Sequence, residues 1–316
     1  MNRLVENILK ISRGIISKIS TGPNKELERE NDANVASDII YKSLISDKPC
    51  MIARFGAFEI STVVNYLGVK NPQHSCINYI IGKQDQWWWN DKLLSYMQSN
   101  AGFYPATYEN AIRFGELMLQ DAKEVDILGS WQLGELALSS ELSNAQKVHI
   151  DYVAPFFGEK KWSRALAGKK VLVVHPFVDT IKKQYAKREL LFEDKDILPE
   201  FDLRCVKAVQ SINGDSIFKD WFEALDYMKT EIDKQDYDIC LLGCGAYGFP
   251  LAAHIKRTGK KAIHIGGRLQ LLFGIIGNRW DTPESYYHQF FNDSWCRPSE
   301  TEKPKAASNV EGACYW

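Results

Sequence analysis

Several features that often reveal the class of a protein are missing from this sequence. Its 316 residues carry 39 lysines and arginines against 40 aspartates and glutamates, so no excess of positive charge points to nucleic acid as a partner. No run of about 18 apolar residues is present, which argues against a membrane-spanning helix. There is also no internal repeat. With 45% hydrophobic and 25% charged residues, the composition is that of a globular protein with one large domain or two small ones.

The seven cysteines show no paired spacing of the kind that holds a metal. Cys240 and Cys244 flank a glycine turn, but no second pair of cysteines or histidines completes a zinc site. Unpatterned cysteines are typical of reduced thiols, which predicts a cytoplasmic protein.

What the sequence does contain is one informative stretch at residues 237–280. The apolar run Ile239–Leu242 predicts a buried parallel strand. It leads into a G-x-G-x-x-G match at Gly243, Gly245 and Gly248. A second predicted strand, Ala262–Ile265, leads into the pair Gly266-Gly267. Two strand–glycine–helix units in tandem place two glycine loops at the carboxyl edge of one sheet.

Two interpretations of these glycines are open. At that edge glycines let a ligand approach the backbone, and free N–H groups at helix starts favour an anion such as a pyrophosphate. Alternatively, they serve only the geometry of tight turns. A dinucleotide site is a poor match, because the second strand ends in Gly266-Gly267-Arg268 without the acidic residue that would hold a ribose. A sugar nucleotide, with one nucleoside and one pyrophosphate, suits the arrangement better.

Strand-like runs alternate with helical patterns from Cys50 to Ile276, which predicts a Rossmann-like α/β fold. We expect a mostly parallel sheet covered by helices on both faces. The predicted units are an amphipathic helix and polar linker at residues 1–34, a single α/β domain at residues 35–295 and an irregular C-terminal tail at residues 296–316. The tail ends in Cys314-Tyr315-Trp316, which we expect to dock on the fold.

The first 20 residues predict a basic amphipathic helix. One apolar stripe runs along it, and Arg3, Lys10, Arg13 and Lys18 outnumber Glu6. Charges interrupt the apolar run and no small-residue cleavage site follows, so the segment does not resemble a signal peptide. Such a helix either lies on an anionic membrane surface, at the inner face of the membrane, or packs on the domain or on a second copy of the chain.

Two other strand ends supply candidate site residues. The predicted strand Cys50–Phe55 places Arg54 at its carboxyl end and Glu59 in the first turn of the next helix, at the edge where open α/β sheets bind ligands. An ion pair and a helix-dipole carboxylate are the plainer interpretations. His175 ends the predicted strand Lys170–Pro176, and Asp179 follows it on a helix. His175 is either a buried structural histidine or a ligand-binding or catalytic one.

Two segments resemble the GT-D-type bacterial glycosyltransferases. ARFGAFEI, at Ala53–Ile60, resembles the R-x-G-x-x-E segment of that family, and KKAIHIGG, at Lys260–Gly267, resembles its second signature. NAGFYP, KKVLVVHPF and GCGAYGFPLAAHIK resemble a bacterial branch associated with surface-polysaccharide clusters. The resemblance to the branch covers most of the chain after residue 35, whereas that to the wider family is patchy.

This resemblance implies a glycosyltransferase that moves a sugar from a nucleotide-sugar donor, of the UDP type, to a saccharide or lipid-linked acceptor. In the family an Asp-x-Glu pair binds the divalent cation, Mn²⁺ or Mg²⁺, that bridges the donor pyrophosphate. The matching positions here are Ala57 and Glu59. Three outcomes follow: Asp179 or Glu135 completes a metal site with Glu59, cations such as Arg54, Lys183 or Lys256 neutralise the diphosphate instead, or activity is lost.

We therefore expect Glu59, His175 and Asp179 to be catalytic, with Glu59 also a metal ligand. The residues expected to bind the donor are Arg54, Gly243, Gly245, Gly248, Lys256, His264, Gly266 and Gly267. Two other functions stay open. One is an NAD(P)-dependent oxidoreductase with Arg268 on a 2′-phosphate, and the other is a non-catalytic nucleotide-sugar-binding protein, which the alanine at position 57 favours.

Overall fold

The computed structural model describes residues 2–19, 26–211, 214, 216–304 and 313–316. Within them, seven strands form one sheet in which every pairing of neighbours is parallel. The strands are β1 (Cys50–Ala53), β2 (Ile127–Ser130), β3 (Gln146–His149), β4 (Lys170–His175), β5 (Asp202–Lys207), β6 (Ile239–Leu242) and β7 (Lys261–His264). Their order across the sheet is β3-β2-β1-β7-β6-β4-β5. The predicted Rossmann-like α/β fold is confirmed.

Helices connect the strands and cover the sheet. The α-helices of the described residues are α1 (Arg3–Ile19), α2 (Ala33–Ile45), α3 (Ala57–Lys70), α4 (Cys76–Ile80), α5 (Asp91–Ala101), α6 (Tyr108–Ala122), α7 (Val178–Tyr185), α8 (Trp221–Asp233), α9 (Gly248–Arg257) and α10 (Leu269–Leu272). The segments Leu133–Leu138 and Trp162–Leu166 form short 3₁₀ helices rather than α-helices.

The strands bury side chains in two hydrophobic cores, one on each face of the sheet. In β1, Met51 belongs to one core and Ile52 to the other, because side chains alternate along a strand. Helices α3, α5, α6, α8 and α9 cover the face of Met51, and α2, α7 and α10 cover the face of Ile52. Burial on both faces explains why the central strands are continuous apolar runs.

The neighbouring strands β4 and β6 are followed by connections that run in opposite directions across the sheet. From β4 the chain passes through α7, on the face of Ile52, to β5, whereas from β6 it passes through α9, on the opposite face, to β7. A crevice opens at the carboxyl ends of two strands whose outgoing helices lie on opposite faces. This topological switch point is therefore the place where such a sheet binds a ligand.

The edge strand β3 was not predicted. Its sequence, QKVH, contains no apolar run, because Val148 is the only residue of this strand that is buried. The main chain of Glu30 continues this edge: Glu30 N donates to Lys147 O and His149 N donates to Glu30 O, each at 2.9 Å. Part of the predicted linker at residues 21–34 thus extends the sheet, while residues 21–25 of it lie outside the described residues.

The N-terminal helix α1 packs on the domain with one face only. Leu9 is buried against Tyr79 and Trp88, and the Arg13 guanidinium lies 4.6 Å from the centroid of the Tyr79 ring. The apolar stripe of Leu4, Ile8, Ile11 and Ile15 lies elsewhere on the helix, and 54% to 67% of the surface of each is exposed. No helix among the described residues combines the length and the hydrophobicity needed to cross a membrane.

The segment predicted as a tail is partly built into the fold. Cys314 and Trp316 are buried in the core on the face of Ile52, so the predicted docking is confirmed. Arg279 N donates to Cys314 O at 2.9 Å, and Gln270 Nε2 donates to Tyr315 O at 3.2 Å. Residues 305–312 of the predicted tail lie outside the described residues.

Candidate functional site

A cavity of about 240 Å³ opens at the carboxyl edge of the sheet. It lies over the switch point between β4 and β6 and extends across the ends of β7 and β1. Its walls include the chain just after four strands, namely Arg54 and Glu59 after β1, His175 and Phe177 at β4, Gly243 and Gly245 after β6, and His264, Gly266 and Gly267 at β7. Parallel strands bring these distant segments together because all their carboxyl ends meet at one edge.

Arg54 presents a half-buried guanidinium to this cavity. It lies 5.3 Å from the centroid of the Trp131 indole, and Trp131 Nε1 donates to Phe55 O at 2.9 Å, which fixes the ring. The described residues offer Arg54 no hydrogen bond and no carboxylate within ion-pair distance. Burial lowers the pKa of the guanidinium, and the more distant Glu59 opposes that shift. A cation placed in this way is available to an anionic ligand.

Glu59 is buried at the start of α3 with 8% of its surface exposed. Its carboxyl folds back over Gly56, where a methyl group would lie 1.8 Å from Glu59 Oε2. Burial raises the pKa of this carboxyl, and the Arg54 guanidinium works against the rise. Burial and a nearby cation give Glu59 the surroundings of a group that exchanges protons rather than of a surface carboxylate.

His175 and His264 are both buried beside the cavity. Burial lowers the pKa of His175 to about 3, and burial together with Arg54 lowers the pKa of His264 to about 3. Both imidazoles are therefore neutral at pH 7. His175 Nδ1 accepts a hydrogen bond from Phe177 N at 3.0 Å, and His264 Nδ1 lies 3.4 Å from Leu242 O.

The glycines of this edge make room for the side chains of the site. A methyl group at Gly243 would lie 2.6 Å from the His175 ring, and one at Gly248 would lie 2.1 Å from His264 Nδ1. At Gly267 it would lie 2.3 Å from the ring of Tyr315. Gly248 does not line the cavity, but the His264 ring packs directly against it. Close packing thus accounts for several glycines that the sequence linked to a pyrophosphate.

Gly245 differs from these glycines because its φ of +57° lies in the left-handed region. A methyl group there would meet only Ala101 O, at 3.8 Å. The turn after β6 then passes through a short 3₁₀ segment, Gly245–Tyr247, before α9 begins. Gly245 is therefore the glycine of the motif that the turn itself requires, and it is also the one with open space toward the cavity.

Besides Gly248, two predicted site residues are absent from the cavity wall, Lys256 and Asp179. Lys256 Nζ donates to Glu124 O at 2.6 Å and to Asp126 Oδ1 at 2.9 Å, near the amino end of β2. Asp179 has an exposed side chain, and its N–H is bonded to Glu302 Oε1 at 2.8 Å. Both residues lie on helices whose direction and rotation the sequence did not give. The exposed Lys183 is likewise not part of the cavity wall.

The residues present do not fit a divalent cation. Among the described residues there is no group of three or more His, Cys, Asp or Glu side chains that could hold a metal ion. Glu135, the proposed second acid, is buried and accepts from Ser130 Oγ, Trp131 N and Gln132 N. Glu59 is left as a single carboxylate with a guanidinium as its charged neighbour, whereas hard cations need several oxygen ligands.

Several residues that line the cavity were not predicted as site residues, among them Trp131, Gln270, Arg279, Tyr315 and Trp316. They bring aromatic faces and another guanidinium, and those at positions 270–316 follow β7 in the chain. Their only early indication was the apolar Cys314-Tyr315-Trp316 segment. Arg268, proposed for a 2′-phosphate, instead forms an ion pair with Asp151.

Comparison of the chain with models of protein families, with curated proteins and with solved structures finds no match.

Proposed function

We propose that this protein is a glycosyltransferase that moves a sugar from a nucleotide-sugar donor to a saccharide or lipid-linked acceptor. The observation that carries the proposal is the half-buried Arg54 guanidinium, which faces a cavity at the switch point of a parallel sheet and has no hydrogen-bond or ion-pair partner among the described residues. A diphosphate supplies the charge and the several acceptor oxygens that such a guanidinium binds best.

Aromatic side chains in the same wall support a sugar as the transferred group. Trp131, Tyr315 and Trp316 line the cavity beside Arg54. Rings of this kind pack against the apolar faces of a sugar or a nucleobase. The volume of about 240 Å³ lies just below the range of about 300 to 1,000 Å³ that is typical of ligand cavities. We therefore propose that the cavity holds the diphosphate and the sugar, and that the nucleoside extends toward the opening.

The proposed reaction uses Arg54 and Glu59 for its two charge movements. The acceptor hydroxyl oxygen bonds to the anomeric carbon of the donor sugar. The bond from that carbon to the diphosphate oxygen breaks, and its electron pair leaves with the diphosphate, whose added charge Arg54 stabilises. The hydroxyl proton passes to Glu59, whose pKa is raised by burial toward the range in which a carboxylate is an effective base. No step of this scheme requires a metal ion.

Ligand screening by thermal unfolding tests the proposal. We expect UDP or another nucleoside diphosphate, and its sugar conjugates, to raise the melting temperature in a concentration-dependent way, because a ligand that binds only the folded state stabilises it. NADH and NADPH serve as the comparison ligands, and a shift with these alone would favour the oxidoreductase. Binding of a nucleotide sugar without transfer or hydrolysis would support the non-catalytic binding protein instead.

We also propose that α1 places the protein on an anionic membrane surface, at the cytoplasmic face. Its exposed stripe of Leu4, Ile8, Ile11 and Ile15 is suited to the headgroup region, and Arg3 and Lys10 flank the stripe with exposed positive charge. Such a position would bring the cavity to lipid-linked acceptors. A second copy of the chain is the other partner that this stripe suits.

A further inference from the structure

We propose that His175 and His264 bind the ligand as neutral imidazoles of opposite tautomer. His175 donates a hydrogen bond from Nε2, and His264 accepts one at Nε2. The inference rests on the proposed function, because both rings line the proposed donor site. It assigns each ring a different part of the ligand and gives neither the role of general base.

The tautomer of His175 follows from its neighbour in the chain. Nδ1 accepts a hydrogen bond from Phe177 N at 3.0 Å, so Nδ1 carries no proton. A neutral imidazole has one N–H, which must therefore be at Nε2. His175 thus presents a donor to the ligand, and a phosphoryl oxygen is the matching acceptor at a strand end beside the turn of Gly243 and Gly245.

The tautomer of His264 is the reverse. Its Nδ1 lies 3.4 Å from Leu242 O, an oxygen that can only accept. A proton on Nδ1 turns this contact into a weak hydrogen bond, whereas a lone pair there would be repelled by the carbonyl. Gly248 holds the ring in place, because it offers no Cβ to push Nδ1 away from Leu242. The proton of neutral His264 is then on Nδ1, and Nε2 presents an acceptor.

Both Nε2 atoms are open to the ligand. Neither Nε2 atom has a hydrogen-bond partner among the described residues. Neither belongs to the fully buried polar atoms that lack a partner, so both retain some accessible surface. β4 and β7 flank β6, and neighbouring strands lie about 4.8 Å apart, so the two histidines begin on strands about 10 Å apart. They therefore contact different groups of one ligand.

This pair selects for a ligand with an acceptor oxygen near β4 and a hydroxyl near β7. A nucleotide sugar has both, in its phosphoryl oxygens and its sugar hydroxyls. Inorganic pyrophosphate at neutral pH offers acceptor oxygens to His175 but few hydrogen-bond donors to His264. The two histidines should consequently respond differently to these two probes.

Nitrogen NMR of the free protein reads the tautomers directly. In protein labelled with ¹⁵N-histidine at pH 7, we expect Nε2 of His175 and Nδ1 of His264 to be the protonated nitrogens. Loss of one ring's signals in each single variant assigns the spectra among the six histidines. The same tautomer in both rings, or a ring protonated at both nitrogens, would overturn the inference and leave the proposed function untouched.

Asparagine and glutamine variants separate the two ends of each ring. Asparagine retains a polar group near Nδ1 and removes the one at Nε2, whereas glutamine does the reverse. We expect His175→Asn to weaken UDP-glucose and pyrophosphate about tenfold, and His264→Asn to weaken UDP-glucose about tenfold but leave pyrophosphate unchanged. The glutamine variants should remain within about threefold of the parent for both probes.

Calorimetric titration of the four variants decides the matter. If the asparagine variants bind like the parent while the glutamine variants lose only melting temperature, the histidines are structural and the inference fails. If the tautomers are opposite but neither UDP-glucose nor pyrophosphate binds the parent protein, recognition by these rings and the proposed function fail together.

Discussion

Arg54 is the side chain on which the proposed binding of the donor depends most. We expect Arg54→Met to weaken UDP-glucose binding by about 10- to 100-fold, because a hydrogen bond to a charged group contributes about 1.5 to 3 kcal/mol. Isothermal titration calorimetry measures the change. The matched control is Lys256→Met, which also removes a cation but acts on the Asp126 ion pair outside the cavity. Equal losses in the two variants would contradict the proposed site.

His175 and His264 also make a prediction about stability in acid. Their pKa of about 3 in the folded protein lies below the ordinary value of about 6.5. Between these two pH values the unfolded chain therefore binds more protons than the folded chain. Their stabilising effect is complete above pH 6.5. It is lost as the pH falls from there toward 3, by up to about 1.4 kcal/mol per pH unit for each ring.

Asp121 acts in the opposite direction. Burial raises the pKa of its carboxyl to about 6, although Arg257 opposes the shift, so the folded chain retains this proton between about pH 4 and 6. We expect urea unfolding free energies to fall from pH 6.5 to pH 4, less steeply in His264→Asn and more steeply in Asp121→Asn. A parent free energy that does not change over this range would refute the assignment of neutral, buried histidines.

The candidate site was predicted best where residues end strands. Arg54, His175, Gly243 and His264 all lie at the cavity, because a parallel sheet brings every carboxyl end to one edge. Lys256 was placed there through its helix, but it follows the start of α9 by about 12 Å along the axis and reaches the amino edge instead. The sequence predicted that residues 314–316 dock on the fold, but not that Tyr315 lies at the cavity, because its position and that of Arg279 depend on tertiary packing.

Among whole elements, the buried strands were the easiest to predict. β6 was found with the bounds Ile239–Leu242, because burial on both faces produces an uninterrupted apolar run between charged segments. β3 was missed because an edge strand needs no such run. The short helix α4 was also missed, since five residues are too few to establish a helical period.

Helix α1 carries the prediction for membrane binding. We expect the double variant Ile8→Asp, Ile11→Asp to lose most of its sedimentation with vesicles of phosphatidylcholine and phosphatidylglycerol, because both side chains belong to the exposed stripe. The double variant Asn7→Asp, Ser17→Asp changes the net charge equally at exposed positions outside the stripe and should retain binding to a greater extent.

Two results would contradict this role for α1. The first is equal sedimentation of the parent protein with vesicles that lack the anionic lipid, which would show that Arg3 and Lys10 contribute nothing to binding. Alternatively, analytical ultracentrifugation would find a dimer that the Ile8→Asp, Ile11→Asp variant dissociates. The stripe would then be an interface between copies of the chain.

The molecule as a whole should bind its nucleotide without a divalent cation. Glu59 is the acidic residue of the cavity wall, and the nearby Arg54 guanidinium supplies the positive charge that a metal ion would otherwise provide. We expect the affinity for UDP to change by less than about threefold when EDTA replaces Mn²⁺ in a titration. An affinity at least tenfold higher with Mn²⁺ would show that further ligands complete a metal site.

The central position of β7 has a consequence for how the protein is made. Among the described residues β7 is the last strand in the chain, yet it joins β1 to β6 and so links two groups of three strands. While a ribosome is still synthesising the preceding residues, β1 and β6 each have an inner edge without its final partner. Unpaired edges of this kind invite aggregation. The nascent chain should therefore need protection by chaperones until residues 261–264 have emerged.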